Sequence, residues 1–174
     1  IKNYPRDENL FINLSNILKL KNDLNNAEFY IRKSLEINPN SSIALNNLSS
    51  ILILLKRFFE AEKFALFSIQ IKENNHLAQY NLGMIYTNLN RFQNAISCFK
   101  KAIKYNPTDF SSNLNLGAIL LKTGDFKEAK VHNDNALRIN KNSYEALFNL
   151  GQIDLYTGNF KSAVKFFKNS LLNK

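Results

Sequence analysis

The chain has 174 residues, 45% of them hydrophobic, and its 23 lysines and arginines against 14 aspartates and glutamates leave a net charge of +9. A single cysteine, Cys98, excludes an internal disulfide framework and favours a reducing, cytoplasmic compartment, and no apolar run is long enough to span a bilayer. The basic balance brings in nucleic acid and acidic membrane surfaces as partner classes, which the distribution of charge must decide.

The chain is periodic. Asparagine recurs at Asn13, Asn47, Asn81, Asn115 and Asn149, each 34 residues after the last, and a fixed period of this length marks a repeat architecture. Residues 1–7, "IKNYPRD", match the tail of a preceding unit, with Pro5 where Pro39 and Pro107 stand later. Five units follow without insertion or deletion, at 8–41, 42–75, 76–109, 110–143 and 144–174. The first two carry "FINLSNIL" and "LNNLSSIL"; the last three carry "QYNLGMIY", "NLNLGAIL" and "LFNLGQID". Counted from the start of each unit, position 7 is Leu14, Leu48, Leu82, Leu116 and Leu150, and position 20 is Ala27, Ala61, Ala95, Ala129 and Ala163. Position 8 is always small: Ser15, Ser49, Gly83, Gly117 and Gly151.

The third unit shows what each predicts. Leu77, Leu82, Ile85, Tyr86 and Leu89 recur at helical spacing. A polar break at Asn88–Phe92 fits a tight turn. Ala95, Ile96, Phe99, Ala102 and Ile103 give a second helical stripe, which Pro107 stops. Gly124 and Gly158 occupy the same turn in the last two units, where glycine adopts a positive φ cheaply. Nothing alternates with period two, so no strand is predicted. One helical hairpin is too small to bury a core, but stacked copies share one. No polar capping helix precedes Lys174, so the chain reads as a fragment of a longer array, with uncapped ends open to self-association.

These motifs resemble the tetratricopeptide repeat over the whole chain: Leu-Gly at positions 7–8, Ala at 20, an aromatic at 24, Ala at 27 and Pro at 32, as in "NLGMIYTNLNRFQNAISCFKKAIKYNP" from Asn81 to Pro107. The resemblance implies an all-α, right-handed superhelical solenoid of antiparallel helix pairs. Departures fall at Gln79 and Asn113 (position 4), Asp154 (position 11) and Asn133 (position 24), where local packing must differ. Asp154 is awkward at a position that is otherwise apolar or tyrosine unless its face is solvent-exposed.

No residues converge as catalysis requires, so no enzyme, metal or cofactor is expected. His76 and His132 occupy different repeat positions. Cys98 and His132 share position 23 one unit apart, but two ligands do not make a metal site. The sequons at Asn13, Asn40 and Asn47 are those an asparagine-rich chain produces by chance, and two of them lie mid-helix. Much of the basic charge falls on second helices, including Lys100, Lys101, Lys104 and Lys130. The resemblance places those helices on the outer face, so a solvated charged surface is favoured over a nucleic-acid site.

The resemblance also places first helices along a concave groove. Positions 2, 5, 6, 9 and 13 share one arc at 100° per residue, and position 6 is the repeated asparagine. Its side chain offers a carbonyl acceptor and two amide donors, so Asn13, Asn47, Asn81, Asn115 and Asn149 form a candidate ladder for a peptide backbone. This is similar to the asparagine ladder in the repeats of O-linked N-acetylglucosamine transferase. Tyr80, Met84, Leu114 and Phe148 are the candidate apolar contacts beside it. Position 6 can equally be a structural asparagine bonding neighbouring helices. The carboxylate clamp of chaperone-binding relatives is absent, because no position 2 or 5 is basic. The sequence therefore favours a protein or peptide partner held by a non-catalytic scaffold. Its alternatives are the substrate-recognition arm of a larger enzyme, such as a protein glycosyltransferase, and a basic convex face for nucleic acid or an acidic surface.

Overall fold

The computed structural model describes residues 7–173. Apart from Asp7, the segment assigned to a preceding unit lies outside the described residues, as does Lys174. Among the described residues there are ten helices and no strand: α1 (Glu8–Leu20), α2 (Leu24–Ile37), α3 (Ser42–Leu54), α4 (Phe58–Ile71), α5 (His76–Asn88), α6 (Phe92–Tyr105), α7 (Phe110–Thr123), α8 (Phe126–Ile139), α9 (Tyr144–Tyr156) and α10 (Phe160–Leu172). The odd-numbered helices begin at Glu8, Ser42, His76, Phe110 and Tyr144, at the spacing of the asparagine period.

Local chemistry sets the boundaries. Asp7, Ser41, Asn75, Asp109 and Ser143 each accept a backbone N–H of the first turn of an odd-numbered helix, which satisfies a donor with no intrahelical partner. One left-handed residue stands at position 15 of each repeat, between its two helices: Asn22, Lys56, Asn90, Gly124 and Gly158, with φ between 57° and 87°. The last two are the glycines expected there. The turn is closed by a backbone bond from position 16 to position 11, as in Asp23 N to Leu18 O and Arg57 N to Leu52 O, both 2.9 Å.

The chain divides into two compact units, one through Leu89 and one from Asn90. In the first, α1 packs on α2 and α3 on α4, α2 and α4 join these pairs to α3 and α5, and α1, α3 and α5 also touch in sequence. In the second, α7 pairs with α8 and α9 with α10, while α6 packs on α7 and α8 on α9. Small residues make the close crossings. Ser15 Oγ donates to Ala27 O at 2.8 Å and Ser49 Oγ to Ala61 O at 3.0 Å. A Cβ on Gly117 would sit 2.3 Å from Asn133 Nδ2, and one on Gly151 would sit 2.6 Å from the Phe167 ring.

One expectation is corrected. Asp154 is not on an exposed face: it is 1% exposed, with Lys130 Nζ 3.0 Å from Oδ1 and no hydrogen-bonding group at Oδ2. The lysine reaches from α8 to neutralise a carboxylate where Leu18, Leu52 and Leu120 stand in other repeats. The second helices also carry exposed apolar residues beside their charges. On α4, Phe59 is 67% exposed, and Leu66 and Phe67 are exposed as well.

Candidate functional site

In the second unit, a cavity of about 620 Å³ opens on the first-helix face of α7 and α9. Helical geometry brings Ala118 and Lys122 of α7, four residues apart, to the same side as Asn149, Gln152 and Tyr156 of α9. Leu121 deepens the α7 wall, and Gly124 and Phe126 close it from the turn. The Phe126 and Tyr156 rings stack with centroids 5.6 Å apart, and Tyr156 keeps 64% of its surface open. The Lys122 ammonium sits 4.4 Å above the centre of the Phe92 ring, whose negative face attracts it. Lys122 is the one charged side chain among the lining residues. The wall thus offers an aromatic surface, a positive charge and two primary amides.

Of the proposed site residues, the cavity takes in Asn149 alone. The five asparagines do not share one environment. Asn13 is exposed. Asn47 Nδ2 donates to Asn16 Oδ1 of the preceding repeat at 3.1 Å. Asn81 is buried and donates to Asn46 Oδ1 at 2.8 Å and Asn46 O at 3.2 Å. Asn115 donates back to Ser111 O of its own helix at 2.8 Å, and Asn149 to Asn133 Oδ1 at 3.0 Å. Four amides therefore spend a donor inside the protein. Tyr80, Met84 and Leu114 are half-buried, and Phe148 is exposed along one side while tilted against Phe167, centroids 5.7 Å apart. Tyr156 and Phe126 were not singled out from the sequence. Position 13 belongs to the groove arc and points to Tyr156; Phe126 recurs with Phe58, Phe92 and Phe160 at position 17, where the phenylalanine opens the second helix.

Three tetratricopeptide repeat family models match the chain, at residues 76–109, at 98–131, and at 9–41 with 144–172. Together they cover most of it. The chain belongs to the tetratricopeptide repeat family. No curated protein matches it. Its fold is similar to that of PilF of Pseudomonas aeruginosa, at 19% identity over 98% of this chain and 79% of that one, TM-score 0.89. It is also similar to MamA, at 21% identity over 91% and 93%, TM-score 0.81. YrrB, described as a TPR protein with an unusual peptide-binding site, shares 20% identity over 97% and 87%, TM-score 0.76. At these identities the likeness is one of fold.

Within this tetratricopeptide chain, the departures from pattern become polar contacts. Asn113 is buried; its Nδ2 donates to Asp109 O at 3.0 Å and its Oδ1 lies 3.1 Å from His132 Nδ1. Burial holds the His132 imidazole below its usual pKa despite Glu128 nearby, and burial pushes the Cys98 thiol up to about 11. The imidazole is committed to a structural amide, and the thiol is not poised to become a thiolate. Among the described residues no three metal-ligating side chains gather, and no helix is long and apolar enough to cross a membrane. On the second helices, Lys100, Lys101 and Lys104 border a shallow hollow of about 410 Å³, with Lys100 paired to Glu128 at 2.7 Å.

Proposed function

We propose that this tetratricopeptide array is a non-catalytic interaction module that holds an extended peptide on the first-helix face of α7 and α9, with their cavity as the anchoring point. The observation that carries the reading is the make-up of that cavity. An open aromatic ring, primary amides and one unopposed ammonium suit an apolar side chain, a peptide group and a nearby carboxylate. A peptide with an acidic residue beside an apolar one is the favoured ligand. YrrB supports the reading as a protein of like fold whose description names a peptide-binding site.

The test is titration calorimetry with peptides selected from a random library against the purified chain. Replacing Asn149 by alanine should leave the chain helical and weaken binding roughly 2- to 10-fold, at about 0.5–1.5 kcal/mol for the lost hydrogen bond. Neutralising Lys100, Lys101 and Lys104 should change binding little. If the asparagine variant binds normally while the lysine variant fails, the functional surface is the outer one. Binding to an anion that collapses with salt would then identify it as electrostatic.

A further inference from the structure

We infer that Asn133, the amide standing where the repeat pattern has an aromatic residue, is a positioning residue that orients Asn149 and turns the Asn149 carbonyl toward a bound peptide N–H. The inference rests on the peptide-binding reading of the α7–α9 cavity.

The direction of each bond follows from donor and acceptor chemistry. Asn133 is 0% exposed, and its side chain lies 2.8 Å from Ala129 O. A backbone carbonyl can only accept, so the Asn133 atom facing it is the amide nitrogen. That fixes the other end: Asn133 Oδ1 faces Asn149 at 3.0 Å, and only the Asn149 Nδ2 can donate to it. The Asn149 amide is thus held from behind, with one N–H committed and the whole acceptor capacity of Oδ1 left. Asn149 lines the cavity beside Gln152 and Lys122. Its free Oδ1 suits a donor, which in an extended peptide is the backbone N–H, while the second Nδ2 N–H stays available to an acceptor.

Asn133 has no other evident reason to be polar. Position 24 is Ile31, Ala65, Phe99 and Phe167 in the other repeats. Repeat five shows that a phenylalanine fits over a glycine at position 8, since Phe167 packs over Gly151 as Asn133 packs over Gly117. A buried amide in place of an aromatic ring forfeits apolar burial. The bond to Asn149 is what the substitution adds. No other ladder asparagine is held this way, since Asn81 and Asn115 find their partners on first helices.

The experiment uses a library-selected peptide whose binding to the purified chain is weakened by N149A. Its affinity is measured for the unmodified chain, N133F, N133L, N149A and the N133F/N149A double variant, with chemical denaturation of each. The expected result is that N133F and N133L fold as stably as the parent or better, yet lose most of the affinity that N149A loses, about 3- to 10-fold. The double variant should bind no worse than N149A. The Asn149 side-chain amide signals, assigned by their loss in N149A, should shift toward free-amide positions in N133F. Three results overturn the inference: N133F and N133L bind like the parent; the loss in N133F persists undiminished in the N149A background; or the Asn149 amide signals do not move. A library that yields no N149A-sensitive peptide instead overturns the peptide-binding reading and removes the ligand that Asn149 would grip.

Discussion

Lys56 has a positive φ of 59°, at the turn position that Gly124 and Gly158 fill later and asparagine fills in two other repeats. An L-residue with a long side chain is strained there by roughly 1–2 kcal/mol, and asparagine less so. Lys56→Gly should raise stability by about 0.5–1 kcal/mol, since part of the relief is offset by greater freedom in the unfolded chain. Urea denaturation checks it, with Asn22→Gly expected to gain less. Asp154 raises a second question. Its buried carboxylate has one oxygen on Lys130 and one on nothing, where three other repeats place leucine. Asp154→Leu should therefore stabilise the chain by about 1–2 kcal/mol, because an apolar residue replaces a desolvated charge. Lys130→Met should destabilise it by about 2 kcal/mol by leaving that charge unopposed. If Asp154→Leu lowers the denaturation midpoint, the carboxylate is structurally needed. Burial also holds the nearby Asp134 carboxyl above its usual range, with the Asp154 charge adding to the rise against Lys130 and Arg138. A raised acid stabilises the fold when protonated, so its contribution is full at low pH and disappears as pH climbs through the folded-state value.

Helices α2 and α4 are held together by a ring of four charges. Arg32 lies 2.7 Å from Glu28 and 2.6 Å from Glu60; Arg57 lies 2.6 Å from Glu28 and also bonds Glu60. Each arginine bridges two carboxylates from successive repeats, so the ring fixes how these two hairpins stack. Burial pushes the Glu60 carboxyl upward, but hydrogen bonds from Arg57 and Arg32 outweigh it and leave the net shift downward. The sign is therefore the usual one for a paired acid: stabilisation is present above the unfolded-state value and lost as pH falls through the lower folded-state value. Arg57→Met should cost about 0.5–1 kcal/mol at neutral pH, the modest figure reflecting partial exposure. That cost should shrink in acid and in high salt. A deficit unchanged across both series would show that the arginine acts through packing of its stem. Elsewhere the second helices differ: α4 shows Phe59, Leu66 and Phe67 to solvent, while α6 shows Lys100, Lys101 and Lys104.

For the molecule as a whole, the basic charge and the exposed apolar surface oppose each other. Leu20 on α1, and Leu171 and Leu172 on α10, are each more than three-quarters exposed. Copies should associate through such faces as concentration rises, and charge repulsion at +9 should hold them apart at low salt. Light scattering across a concentration series should show a rising mass, more steeply in added salt, and a strict monomer at millimolar concentration would count against it. Phe167 is not part of that exposed set, because it is drawn inward over Gly151.

The 34-residue period by itself determined the helix pairs, their starts and their turns. These depend on interactions within a few residues: an N-cap such as Asp109, a left-handed turn residue such as Gly124, a helical stripe such as Leu82, Ile85 and Tyr86. What each polar side chain bonds was decided only by tertiary packing. The same asparagine, at the same position, reaches Asn16, Asn46, Ser111 or Asn133 in different repeats. A hydrogen bond forms over about 3 Å, and which neighbour comes within that distance depends on the size of side chains in the adjacent helix. Asn133 is small and polar where Phe167 is large and apolar, and that difference gives Asn149 its partner. Asp154 has no cation on its own helix within reach of the local pattern; the one that neutralises it, Lys130, arrives from the neighbouring repeat.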